Sequence, residues 1–342
     1  MEKLTGLKSK HFIWLFFLIF SCTSTPKKSS YYFEGEALGT TYHIRAIADE
    51  NSKKLTRKAI DSVIDAVNQS LSTYITSSLI SRINKGEKLK ADRQFKDVFR
   101  AAQKIYKETN GYYDPTIGIL VNAWGFGPGK KMEGIERDSS IVDSLLKFVG
   151  YQYVKIDSSD FVEKKYPQIY FDYNSIAKGY AIDRVGKMLS DKGFNNYLVE
   201  IGGEVLAKGK NTDKNRKWTV AIDNPNRQSK KNYYSIIHLE NRAMATSGNY
   251  RKFYVDKKTG KKYVHTLNPK TGYPVISHLL SASVLAKNTT LADGYATALM
   301  VLGLEKSKEF LKKHPELDAV LIYSDDKGNL KVFKTKGVKF LD

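Results

Sequence analysis

Hydrophobic and polar positions alternate from Tyr31 to Ala48 around Gly39-Thr40-Thr41, which predicts two strands joined by a tight turn. The period then lengthens: Ile60, Val63, Ile64, Val67 and Leu71 share one face of a helix. Phe95, Val98, Phe99, Ala102, Ile105 and Tyr106 mark a second helix that stops at Asn110-Gly111, a usual C-terminal signal. Residues 138–149 read as a helix with Asp138 as its cap, 153–156 as a strand, and the apolar run Ile169-Tyr170-Phe171 as another strand. Ile176, Tyr180, Ile182, Val185 and Leu189 recur at roughly helical spacing until Gly193. Strands are then expected at 197–201, 218–222 and 233–239, followed by a hairpin through Lys257-Lys258-Thr259-Gly260. Residues 291–300 are helical in pattern, and the chain closes with a helix at 304–313 and two strands around Asp325-Asp326-Lys327-Gly328. Successive strands with little helix between them suggest an antiparallel portion.

The amino terminus follows a different pattern. Lys3, Lys8 and Lys10 precede nine apolar residues, Phe12 to Phe20, which end at Ser21-Cys22. Spanning a bilayer takes about 20 residues, so the run fits the apolar region of a secretory signal. Ile19-Phe20-Ser21-Cys22 resembles a bacterial lipobox, with cleavage before Cys22 and a lipid on its thiol; the alternative is a buried cysteine beside an uncleaved anchor. On the first reading, residues 1–21 are a signal peptide, 22–30 a lipidated cysteine and polar tether, and 31–342 the folded domain. The expected location is the bacterial cell envelope, anchored to the inner membrane and facing the periplasm. Cys22 is the only cysteine, which excludes an internal disulfide framework.

The chain carries 56 lysines and arginines against 36 acids, a formal charge of +20. Loss of residues 1–21 removes three lysines and one glutamate and leaves +18. Such a balance suits nucleic acid, anionic lipid or a phosphorylated ligand, or is simply a solvated surface. Export argues against nucleic acid.

Candidate chemistry sits in four places. Asp172-Tyr173-Asn174-Ser175-Ile176-Ala177-Lys178-Gly179-Tyr180 leaves the expected strand with a carboxylate and enters a helix with a lysine. A helix N-terminus with an added lysine stabilises a phosphate, and Asp172 suits a ribose hydroxyl or base nitrogen; alternatively both are ordinary surface charges. Leu120-Val121-Asn122-Ala123-Trp124-Gly125-Phe126-Gly127-Pro128 reads as a poor core helix but a good stacking wall for a flat ring, or as an ordinary aromatic loop. His265 lies at a strand end, placed either to accept a proton near neutral pH or to make a structural hydrogen bond. Asp293 and Thr297 fall one helical turn apart, hard oxygen donors fit for Mg²⁺, or else a helix-start carboxylate and a core threonine.

Taken in order, eight motifs resemble the ApbE family, the FAD:protein FMN transferases. They are Ala37-Leu38-Gly39-Thr40-Thr41, Leu71-Ser72-Thr73-Tyr74 with Ser81-Arg82-Ile83-Asn84, Asp114-Pro115 through Trp124-Gly125-Phe126-Gly127-Pro128, and the Asp172 turn, followed by Gly202-Gly203, Ser247-Gly248, His265-Thr266-Leu267-Asn268-Pro269-Lys270-Thr271-Gly272 and Ala292-Asp293-Gly294-Tyr295-Ala296-Thr297. Leu38 stands where the family commonly has methionine, and Asn268 where it usually has aspartate. The resemblance implies an α+β fold of mixed or antiparallel sheets with packed helices, and FAD in a cleft between two halves. It implies FAD contacts at Leu38, Tyr74, Trp124, Gly125, Phe126, Asp172, Lys178 and Leu267, and Mg²⁺ held by the Ser175 carbonyl, Asp293 and Thr297. The implied reaction is attack by a threonine hydroxyl of an acceptor flavoprotein on the FMN-side phosphorus of FAD, with AMP leaving. His265 is then the candidate base, with Lys178 and Asp293 as the other catalytic groups. The family's acceptors are subunits of Na⁺-translocating NADH:quinone and Rnf-type oxidoreductases. Two rival readings share the same residues: a Mg²⁺-dependent FAD pyrophosphatase, and a lipoprotein that binds FAD without chemistry.

Overall fold

The computed structural model describes residues 29–226, 229, 231–250, 253–256, 260 and 262–341. The signal segment, Cys22 and most of the tether lie outside the described residues. Ser30, expected in the tether, is already the first residue of β1 (Ser30–Ala37). That strand returns as β2 (Thr40–Ile47) through Leu38-Gly39, both at positive φ (55° and 74°). This is the backbone that a two-residue hairpin needs to match the strand twist.

Five helices follow: α1 (Arg57–Leu71), α2 (Leu79–Asn84), α3 (Arg93–Glu108), α4 (Gly118–Ala123) and α5 (Ser139–Leu146). Thr56, Ser78, Asp92 and Asp138 cap four of them by accepting a backbone N–H of the first turn. A short hairpin, β3 (Val154–Ile156) and β4 (Val162–Lys164), leads to α6 (Ala177–Asp191). The strands β5 (Asn196–Ile201), β6 (Glu204–Lys208), β7 (Trp218–Asp223), β8 (Tyr233–Leu239), β9 (Arg242–Gly248), β10 (Phe253–Val255), β11 (Lys262–Val264) and β12 (Leu279–Ala286) come next. The last elements are α7 (Thr289–Leu302), α8 (Leu304–Lys313), β13 (Asp318–Ser324) and β14 (Leu330–Lys334).

Eight strands form one sheet in the order β1-β2-β5-β6-β9-β12-β13-β14, antiparallel throughout. Period-two alternation splits its side chains between two cores. Ile44, Val199, Ala245 and Val284 pack against Ile60, Phe95, Ile182 and Leu299 of the helices. Val205, Met244, Leu285 and Val320 on the opposite face pack under the β7–β8 hairpin with Trp218, Ile222 and Ile237. A third cluster of Leu120, Trp124, Val142, Tyr263 and Leu267 joins α4 and α5 to the β10–β11 hairpin. The fold is therefore α+β. No helix among the described residues is long and apolar enough to cross a membrane.

Two expectations need correction. Ile169-Tyr170-Phe171 is not a strand; it makes one parallel bridge, Ile117 to Tyr170. Asn84 at the end of α2 explains why: its side chain donates to the Phe171 carbonyl (2.9 Å) and accepts from the Phe171 N–H (2.8 Å). With both backbone groups engaged, no ladder can extend past this point. The second correction concerns residues 118–126, where α4 forms and Trp124 is wholly buried, its indole N–H donating to the Gly272 carbonyl (2.8 Å). The indole thus anchors the third cluster, and only Gly125 and Phe126 of that trio retain open surface.

Candidate functional site

The turn before α6 is shaped by its side chains. Asp172 Oδ1 accepts from the Asn174 N–H (2.8 Å), and the Asp172 N–H donates to the Pro115 carbonyl (2.8 Å). Ile176 and Ala177 donate their N–H groups to the Tyr173 carbonyl, while the Tyr173 ring is sealed in the core. The Gly179 N–H, which the sequence suggests for a phosphate, donates instead to Asp293 Oδ2 on α7 (3.0 Å). The start of α6 is therefore occupied at three N–H groups by protein oxygens.

The exchange is reciprocal. Asp183 of α6 accepts from the Thr289 and Thr290 N–H groups at the start of α7 (2.8 Å each), beside the Asn288 cap on Leu291 (3.0 Å). Each helix thus satisfies part of the other's N-terminal turn with a carboxylate. Such closeness requires glycine at 179, because a Cβ there would stand 2.3 Å from the Thr289 carbonyl oxygen.

Around this crossing the side chains converge. Asp293 is buried, and burial pushes its carboxyl above the ordinary range, against the pull of Lys178 and the Gly179 N–H. Thr297, one turn along α7, shares a hydrogen bond with Ser247 of β9 (3.2 Å). Lys178 donates to Glu204 Oε1 at 2.5 Å. Burial raises Glu204 above the usual carboxylate range; Lys178 opposes this and the charge of Asp293 adds to it. Ser175 donates to the Tyr113 hydroxyl (3.2 Å), and burial holds that phenol far above its ordinary value, with the charges of Asp293 and Asp172 adding to the effect. Tyr113 therefore links the Asp293 cluster to the Asp172 turn.

The structure also brings together other residues expected from sequence. Tyr74 is 58% exposed, and its phenol is raised by partial burial and then by the charge of Asp172. His265 follows β11 and meets Phe126 edge to face, with ring centroids 6.4 Å apart. Leu38, half-buried at φ 55°, sits at the tip of the first hairpin. Leu267, like Trp124, is interior to the third cluster. The sequence alone did not point to Glu204, Asp183 or Tyr113, and it marked Ser247 only as part of the Ser247-Gly248 motif. Glu204 carried one available signal, a carboxylate directly after a glycine pair at a strand end.

The donors suit a hard divalent cation. Asp293, Thr297 and Ser247 offer only oxygen, and Glu204 Oε2 is buried with no hydrogen-bond partner among the described residues. Among those residues there is also no group of three or more His, Cys, Asp or Glu side chains able to hold a metal. A cation here would draw on few protein ligands and complete its shell from phosphate oxygens and water, the habit of Mg²⁺.

Comparison with known proteins shows what the chain and its fold are similar to. The model of the ApbE family matches residues 38–321. The FAD:protein FMN transferase of Haemophilus influenzae is 36% identical over 304 residues, 86% of either chain. The Escherichia coli protein of the same name is 32% identical over 289 residues, 82% of this chain and 80% of its own. Among solved structures, the flavin transferase ApbE from Vibrio cholerae superposes with a TM-score of 0.80 at 31% identity, covering 90% of this chain and 98% of that one. The apo flavinyl transferase ApbE of Pseudomonas stutzeri gives 0.79 at 29% identity, covering 90% and 95%.

Proposed function

The chain belongs to the ApbE family, and we propose that it transfers the FMN moiety of FAD to a threonine hydroxyl of an acceptor flavoprotein, releasing AMP. The observation that carries this reading is the crossing of α6 and α7, where Lys178, Asp293 and Thr297 meet around helix ends already closed by protein carboxylates.

In the reaction, the threonine oxygen forms a bond to the FMN-side phosphorus, and the bond from that phosphorus to the AMP oxygen breaks. The hydroxyl proton passes to His265, whose ring is steadied by Phe126. Lys178 offsets charge that builds on the phosphate oxygens, and Glu204 keeps its ammonium in place. Asp293, Thr297 and the Ser175 carbonyl are the residues that would hold Mg²⁺, which supplies Lewis-acid stabilisation of the pyrophosphate when bound. Phe126, Gly125, Tyr74, Asp172 and Leu38 are the surfaces for the flavin and its ribityl or ribose hydroxyls. Trp124 and Leu267 support that surface from behind.

Acceptors of the Na⁺-translocating NADH:quinone or Rnf type belong to the same proposal, as does anchoring by a lipid on Cys22 with the domain, residues 31–342, in the periplasm. The lipobox-like run at 19–22 supports the anchor. Replacing Cys22 by serine should release the protein from membranes while leaving FAD affinity unchanged; a Cys22→Ser protein that still pellets after a salt wash removes the anchor from the proposal. The activity is tested by incubating the domain with FAD, Mg²⁺ and a threonine-bearing acceptor. In-gel flavin fluorescence and an added FMN mass on the acceptor are expected. Free FMN and AMP without labelled acceptor would instead make it a pyrophosphatase, and bound but intact FAD a carrier.

A further inference from the structure

Glu204 opens β6 directly after Gly202-Gly203, which turn the chain at φ 62° and 102° so that Glu204 pairs with Ile201. Val205 and Ala207 point into the core beneath the β7–β8 hairpin. By alternation, Glu204 and Leu206 face the helices, and Leu206 does pack on the helical core. The strand thus carries a carboxylate into the helix side of the sheet, where its side chain is only 5% exposed.

Its two oxygens have different fates. Oε1 holds the Lys178 ammonium at 2.5 Å, whereas Oε2 has no partner among the described residues despite complete burial. An ion pair kept for stability alone gains little over apolar packing, and an orphaned buried oxygen makes it costlier still. The placement is better accounted for by the group it aims. Lys178 stands one residue before Gly179, whose N–H donates to Asp293, so Glu204 tethers a charge that enters α6 at its crossing with α7.

We propose that Glu204 is a positioning residue for the transfer reaction: through Oε1 it fixes the Lys178 ammonium on the helix side of the sheet, toward the Asp293 cluster. This inference rests on the transferase reading of the site. Its effect is exerted through Lys178, so the two residues should fail as one unit.

A double-mutant cycle tests this, with FAD affinity from flavin fluorescence and the single-turnover rate of FMN transfer measured for each variant. Glu204→Gln and Lys178→Met should each slow transfer by about 10- to 100-fold, with a smaller loss of FAD affinity, since a charge-assisted contact is removed where charge develops. The double variant should be no slower than Lys178→Met alone. Glu204→Asp, which keeps the charge but shortens the reach, should recover part of the rate and guards against misfolding of the glutamine variant. Losses that multiply in the double variant, or a wild-type rate in Glu204→Gln, overturn the proposal. If the wild type binds FAD but transfers nothing, the transferase reading fails while the cycle in FAD affinity still decides whether Glu204 works through Lys178. A wild type that neither binds FAD nor transfers FMN overturns both.

Discussion

Gly179→Ala is the sharpest perturbation of the helix crossing, because the added methyl carbon would stand 2.3 Å from the Thr289 carbonyl oxygen, 2.7 Å from its carbon and 2.9 Å from Asp293 Cβ. Ordinary contacts begin at 3.4 Å, so α6 and α7 must part by roughly 1 Å, and the obstacle is backbone rather than a side-chain tip. Overpacking of this kind costs about 1–3 kcal/mol, and the rigid obstacle places it near the top of that range. Better helix propensity returns up to about 1 kcal/mol, while a lengthened Gly179–Asp293 hydrogen bond forfeits about 1 kcal/mol. The net loss is about 3 kcal/mol. With an unfolding entropy of about 2.1 cal/mol/K per residue over roughly 310 residues, the melting temperature should fall by about 4–5 °C. Asp293 should shift as well, weakening Mg²⁺ in calorimetric titration and lowering transfer. Gly294→Ala is the control: its Cβ would meet the Ile105 Cδ1 at 2.4 Å, the mobile end of a side chain. Helix propensity there offsets most of the cost, so the change should stay within about 1 kcal/mol. Equal melting temperatures for Gly179→Ala and wild type, with unchanged metal affinity, would falsify the claim that this glycine holds the crossing closed.

Three further outcomes are expected. His265→Gln should slow transfer by about 10²–10⁴-fold, the range of general acid–base catalysis, with FAD affinity largely retained; parallel loss of FAD binding and thermal stability would instead mark His265 as structural. Chelation by EDTA should stop turnover and added Mg²⁺ restore it, with Asp293→Ala losing more metal affinity than Thr297→Ala because a charge goes with the ligand; calorimetry showing equal affinity in all three proteins would remove both residues from the metal site. Asp114, buried and lifted to about 6 by desolvation against the hydrogen bonds from Thr116 and Tyr151, has a folded pKa above its unfolded value. Its contribution is fully present below about pH 4 and is lost as pH rises through 6, an effect of about 3 kcal/mol. Urea midpoints for Asp114→Asn should lack that part of the decline between pH 4 and 6, and an identical slope would show that another group governs it.

Where the sequence carried a period, the fold could be read from it: the first hairpin, α1, α3, α6, α7 and the strands β5, β7, β8, β13 and β14 stand where alternation or helical spacing put them. The strands β6, β9 and β12, largely buried on both faces in the middle of the sheet, were not anticipated. The misreadings arose where a side chain replaced a backbone partner. Ile169-Tyr170-Phe171 has strand composition, yet Asn84, distant in sequence, takes both Phe171 backbone groups. Trp124 sits among glycines and proline in a stretch that reads as a stacking wall, yet its N–H donates to the Gly272 carbonyl across the cluster. The reading of the α6 start was local physics, and at the Gly179 N–H Asp293, more than a hundred residues later, overrides it. That override changes how the site must handle charge. The N–H groups of Ile176, Ala177 and Gly179 on α6, and of Thr289, Thr290 and Leu291 on α7, are spent on protein oxygens. On the proposed reading, a pyrophosphate at this crossing would gain little from those helix ends and would depend on Lys178 and a bound divalent cation for its neutralisation. Two buried carboxylates, Asp293 and Glu204, act on the Lys178 ammonium, so on the proposed reading the crossing carries an excess of negative charge that a bound divalent cation would offset, while Glu204 holds Lys178 in place.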